Sequence, residues 1–156
     1  MIIESIKKYI HYGSEEFKDS LWIDITNDWV KPRGGLWASP IDGDRTWKDW
    51  NEYECFVECD DACSFRFSIK PGYKVLYLKS FEDFKEIESY VIKGDVNNLN
   101  DRCCFEFIHL DFEKLLRDGI SAVEVRHNYI TNNAFHCWDC DSIVILNKDC
   151  IHIEEE

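Results

Sequence analysis

The sequence predicts an α+β fold: short strands in a mixed, mostly antiparallel arrangement, with two or three helices inserted. Three observations predict it. Several short runs carry strand patterning, and Ser64-Phe65-Arg66-Phe67-Ser68-Ile69-Lys70 alternates strictly. Helix-length stretches open on capping residues, with Thr46 and Ser80 each followed three positions later by an acid, Asp49 and Asp83. The helices fall between strands that pair as hairpins more than by helical crossovers, which separates α+β from α/β. The length of 156 residues, without repeat or linker, corresponds to one domain spanning 1–156.

Taken in order, residues 5–12 mix a helical turn with a short strand, ended at Gly13-Ser14. Ser14 can cap a short turn through Glu15-Glu16-Phe17. A polar loop around Pro32 leads through Gly34-Gly35 into the short strand Leu36-Trp37-Ala38, stopped at Ser39-Pro40. Asp42-Gly43-Asp44 reads as a turn. Trp47, Trp50, Tyr53, Glu54 and Val57 then follow three–four spacing, predicting a helix over 46–57 with an aromatic face. The strand at 64–70 turns at Pro71-Gly72 into a second strand, 73–78, and the short turn predicts an antiparallel hairpin. A helix follows from Ser80, with Gly94 as its stop, then a polar loop at 95–102 and a strand at 104–110. Asp111 caps a helix over 112–117, Gly119 ends it, and 120–125 is a strand. Residues 126–137 read as a loop rich in Asn and His. The last strand, 141–147, carries Ile143-Val144-Ile145-Leu146, a β-branched run suited to burial on both faces. Ile151 packs back, ahead of a solvated acidic tail.

The net charge of −13 argues against sequence-independent nucleic-acid binding, which needs cations at the phosphates, and against anionic membrane surfaces. A small anionic ligand needs only a few local cations. No apolar run is long enough for a membrane-spanning helix, and the N-terminus lacks the pattern of a signal peptide, so the expected compartment is the cytoplasm. Six Trp, seven Tyr and ten Phe exceed what a core of this size needs, which predicts that some line a cleft or contact surface. The eight cysteines are expected to be reduced. Cys137 and Cys140 form the one C-x-x-C. The other clusters, Cys55/Cys59/Cys63 and Cys103-Cys104, do not supply a second pair, so small buried thiols are expected rather than zinc, and no metal is assigned.

Asp139 and Asp141 stand at the mouth of the last strand with period-2 phase, so both can point to one side of the sheet. Lys31 and Arg33, flanking Pro32 in an otherwise acidic chain, are the candidate local cations for an anionic ligand.

Three pieces fall in an order that resembles the ADP-ribosyltransferase superfamily, in its histidine–tyrosine–glutamate branch. They are Ile10-His11-Tyr12-Gly13-Ser14, Gly35-Leu36-Trp37-Ala38-Ser39 and Asp139-Cys140-Asp141-Ser142-Ile143-Val144-Ile145. The helix-then-strand unit beginning at Asp111 resembles the unit before the last strand in bacterial members. The resemblance implies a fold with a central cleft and NAD as substrate. His11 would bond the ribose hydroxyls, and Gly13 with its neighbour Ser14 would hold the carboxamide. Gly35, Trp37 and Ser39 would form the second binding strand, with Trp37 stacked on the nicotinamide. Asp141 would be the catalytic acid and Asp139 would help choose the acceptor, with Arg126 and His136 in the preceding loop beside it. Tyr12 separates His11 from Gly13, Trp replaces the family's Tyr, and Asp replaces its Glu, one methylene shorter.

The implied chemistry is ADP-ribosyl transfer or NAD hydrolysis. Breaking the nicotinamide–ribose bond builds positive charge on the ribose, which a fixed carboxylate stabilises. An aromatic face holds a pyridinium by cation–π attraction worth about 0.5–2 kcal/mol. The acceptor, protein or small molecule, is not specified by the sequence. The competing expectation is a non-catalytic acidic protein that binds or inhibits a basic partner.

Overall fold

The computed structural model describes residues 2–3, 7–92, 108–135 and 137–154. Its fold is α+β. Eight strands run β1 (Ile2–Ile3), β2 (Lys8–Tyr12), β3 (Leu36–Pro40), β4 (Ser64–Ile69), β5 (Lys74–Leu78), β6 (Ile120–Val125), β7 (Ser142–Ile145) and β8 (Ile151–Ile153). They form one mixed sheet in the order β1-β5-β6-β7-β3-β2-β4-β8. Among the described residues only β5 and β6 pair in parallel. Among the described residues four α-helices accompany them: α1 (Trp47–Glu54), α2 (Phe81–Glu86), α3 (Phe112–Arg117) and α4 (Tyr129–Ala134).

Two apolar clusters follow from the alternation along the strands. Val123 and Val144 point to one face, where Phe112, Leu115, Ile87 and Trp138 cover them. Ala122, Ile143 and Ile145 point to the other, where they meet Tyr9, Phe67, Val75 and Ile151. This second cluster draws on both ends of the strand order, so the sheet folds over on itself around it. β7 is therefore buried on both faces, as its β-branched run requires, with Ile143, Val144 and Ile145 fully inaccessible.

The caps follow the sequence closely. Thr46 with Asp49 and Ser80 with Asp83 form capping boxes, and the Asp111 carboxylate accepts from the Lys114 amide. Helix α1 nonetheless stops at Glu54, short of 57. Cys55 takes a left-handed conformation at φ 53°, and the Asn51 side chain instead accepts from the Val57 amide.

Two expectations need correction, the hairpin at 64–78 and the loop after β6. The strands at 64–70 and 73–78 are consecutive but do not pair. β4 is occupied on both edges, by β2 and β8, while β5 joins β1 and β6. The Pro71-Gly72 turn carries the chain from one half of the folded sheet to the other, so Ile69 and Val75 meet face to face in the core. The Asn-rich stretch after β6 is not all loop. Asn128 caps α4, accepting from the amides of Ile130 and Thr131, and Thr131 closes the box. Residues 151–153 add a strand to the edge of β4. Residues 8–12 are strand, as part of the 5–12 stretch was expected to be, and residues 5 and 6 lie outside the described residues. The expected stop at Gly94, the loop at 95–102 and most of the strand at 104–110 lie outside the described residues.

Candidate functional site

The site begins where the β2–β3 ladder ends. These strands are paired at Tyr9↔Pro40 and Ile10↔Ser39 only, whereas β2 is paired with β4 along its whole length. Beyond Ile10 the ring of His11 takes over, its Nδ1 lying 2.7 Å from the Trp37 carbonyl oxygen. A carbonyl only accepts, so Nδ1 carries the hydrogen, and in the tautomer that this fixes Nε2 is the acceptor. On its other edge β3 pairs with β7, Trp37 opposite Val144 and Ala38 opposite Ile143. The segment entering β7 is thereby held across from His11, and a cleft of about 380 Å³ lies between. This is within the size range of small-molecule sites.

His11, Lys31, Trp37, Ser39 and Asp139 all line this cleft. The Trp37 indole rests on the buried Trp138 at 4.8 Å between centroids, and the Lys31 ammonium sits 5.2 Å from the Trp37 ring centre. Trp47 lines the cleft from the first turn of α1. Its amide donates to the Ser39 hydroxyl at 2.8 Å, which ties the start of the helix to β3. Ser39 is itself buried, so its role is to place Trp47 rather than to present a free hydroxyl. Asp139 is exposed and makes no hydrogen bond or ion pair among the described residues, leaving its carboxylate available to a ligand.

Asp141, the residue expected as the catalytic acid, is placed differently from Asp139. It is 2% exposed and does not line the cleft. One carboxylate oxygen accepts from the His127 amide at 2.7 Å, the other from the amides of Asp44 and Arg45 at 2.8 and 3.3 Å. Its own amide donates to the Arg45 carbonyl. Asp141 thus fastens the 42–45 turn, and through it the start of α1, to the mouth of β7. A Cβ on Gly43 would come within 2.9 Å of its carboxylate, so this turn passes too close for a larger residue. We expect Asp141→Asn to lower stability by about 1–3 kcal/mol in urea denaturation, because an amide nitrogen would oppose backbone N–H donors.

Arg126 is likewise internal rather than acceptor-facing. Its Nε donates to Glu124 at 2.7 Å and its Nη2 to Asp42, while Asp141 lies 3.8 Å from Nη1. Burial opposes the charge, but hydrogen bonds and charges from Asp42 and Glu124 hold the guanidinium above its ordinary pKa. Glu124 is fully buried and also accepts from Tyr9 Oη at 2.9 Å and Lys7 Nζ at 3.1 Å.

Gly13, Ser14, Gly35 and Arg33 are not among the cleft-lining residues. The Gly13 amide donates to the Cys63 carbonyl, which fixes the chain after β2. Ser14 and Gly35 line a separate shallow depression that shares His11 with the cleft. Gly35 is needed for packing: at φ 68°, a Cβ would lie 2.4 Å from the Ile145 carbonyl oxygen. Arg33 is exposed, pairs by its backbone with Thr26, and lies outside the cleft lining. His136 lies outside the described residues.

The sequence places Trp47 on the aromatic face of a helix without assigning it to a cleft, and it assigns Cys137 and Cys140 no part in one. For Trp47 a signal was available: it is the first residue of a capped helix, where a side chain projects past the helix end. Burial pushes the Cys140 thiol pKa up, while Cys137, at φ 67°, is partly exposed. Among the described residues no group of three or more His, Cys, Asp or Glu is arranged to hold a metal ion, and no described helix is long and apolar enough to cross a membrane. The chain matches no protein-family model, no curated protein and no solved structure.

Proposed function

We propose that the cleft receives the nicotinamide–ribose end of NAD and that the protein is an ADP-ribosyltransferase or NAD glycohydrolase, with Asp139 in place of Asp141 as the working carboxylate. One observation carries the reading: His11, Trp37, Trp47 and Asp139 line a single cleft. Two indoles offer flat surfaces to a pyridinium ring. The free Nε2 of His11 can accept from a ribose hydroxyl. Lys31, held over Trp37 by cation–π attraction, can leave that ring to a cationic ligand and turn to the pyrophosphate. The ADP-ribosyltransferase-like reading of the fold rests on the same order of motifs along the chain.

The reaction balances without a further reagent. The C1′–N bond of NAD breaks, and its electron pair goes to the ring nitrogen, releasing neutral nicotinamide. Positive charge builds on the ribose, where Asp139 stabilises it. An acceptor hydroxyl, amine or water then bonds to C1′ and gives up a proton, for which the same carboxylate is available. The test is chromatographic: nicotinamide released from NAD by the wild-type chain, alone and with a protein acceptor mixture. No release under either condition overturns the enzymatic reading.

A further inference from the structure

Outside the cleft, the most unusual surface is the one built by α1 and the segment after it. Trp47 and Trp50 stack at 5.0 Å and 15°, and Phe56 meets both edge-on at 6.5 and 5.7 Å. This cluster is not sealed. Residues 52–58 are all exposed, with Phe56 at 65% and Val57 at 55%. A groove runs beside it, lined by Asn51, Glu52, Phe56, Val57 and Glu58 among others, and by Lys48, whose ammonium is held by Asp61. Between 49 and 61 there are six acids and no Lys or Arg. Three of these acids are committed locally: Asp49 to the cap of α1, Asp60 to the Ala62 amide and Asp61 to Lys48. The carboxylates of Glu52, Glu54 and Glu58 make no hydrogen bond or ion pair among the described residues.

Exposed aromatic and aliphatic groups rimmed by unpaired carboxylates fit one kind of occupant. It must bring apolar side chains to Phe56 and Val57 and cations to the glutamates. Nucleic acid, anionic lipid and a second copy of this chain are all repelled by the rim. We propose that this groove docks a basic, apolar-containing segment of a partner protein. Trp47 lines the cleft and its ring meets Phe56 of the groove edge-on, so a docked segment lies beside the cleft mouth. Its role as the acceptor of ADP-ribose rests on the preceding reading; the docking itself does not.

The test uses the whole chain and a short fluorescein-labelled peptide alternating arginine and leucine, followed by anisotropy. The same peptide with glutamate for arginine and a single-stranded DNA of equal length are the controls. A triple variant, Glu52→Lys, Glu54→Lys and Glu58→Lys, is compared with an equally charged triple variant at exposed sites elsewhere, Asp28→Lys, Glu88→Lys and Asp149→Lys. We expect the basic peptide to bind at least about tenfold more tightly than either control ligand, with the preference weakened by salt. The groove variant loses that binding and the remote variant keeps most of it. Phe56→Ser weakens it with no change in charge. Equal losses in the two triple variants would mean attraction to bulk charge and would overturn the groove, as would equal binding of the acidic peptide or DNA. Nicotinamide release without acceptor, measured on the same variants, reports separately on the cleft.

Discussion

Glu124→Ala is expected to destabilise the fold by about 3–5 kcal/mol, the cost of leaving a buried charge without its partner. Glu124 is wholly inaccessible and gathers three donors, from Lys7, Tyr9 and Arg126. Removing it leaves the Tyr9 hydroxyl and the Arg126 Nε inside the protein, and Asp42, itself largely exposed, cannot compensate for both. At roughly 2–4 °C per kcal/mol for a chain of this size, the melting temperature falls by about 10 °C. Glu124→Gln keeps the acceptor oxygen toward Tyr9 and loses less. A loss below about 1 kcal/mol for Glu124→Ala would show that the network contributes little. Because Arg126 also approaches Asp141 and holds Asp42, the damage should spread to the 42–45 turn that carries the start of α1.

The second large effect separates the two aspartates at the mouth of β7. Asp139→Asn is expected to reduce nicotinamide release by about a hundredfold or more while leaving the unfolding midpoint unchanged. The side chain faces the cleft and makes no internal bond, so its loss removes transition-state stabilisation and nothing else. Asp141→Asn should show the reverse weighting, a lowered midpoint with any activity loss following from misplacement of Trp47. Equal loss of stability in both variants would erase the distinction between them.

The sequence made the local structure legible wherever a short-range rule governs it. The two capping boxes, the Asp111 cap and the doubly buried strand at 143–145 follow from spacing alone. Two kinds of feature were not legible. The pairing of β5 depends on which sheet edges are already occupied, which no short turn reveals. The division of labour between Asp139 and Asp141 depends on a turn nearly a hundred residues earlier, whose amides reach one carboxylate and not the other. Period-2 phase puts both on the same side of a regular strand, but β7 begins only at Ser142, so that phase does not extend to either residue. Helix α4 was hidden for a local reason: Asn128 and Thr131 close its box without the usual acid, and Asn132 and Asn133 have weak helix propensity.

The central claim, that the cleft walled by Trp37 and Trp47 holds a nicotinamide, is tested most directly by calorimetric titration of the Asp139→Asn chain with NAD, where turnover does not interfere. The account predicts one NAD per chain, bound about tenfold more weakly when either Trp37→Ala or Trp47→Ala is added, and unaffected by Trp29→Ala, an exposed indole outside the cleft. Absence of binding, or equal weakening by all three tryptophan replacements, would contradict it.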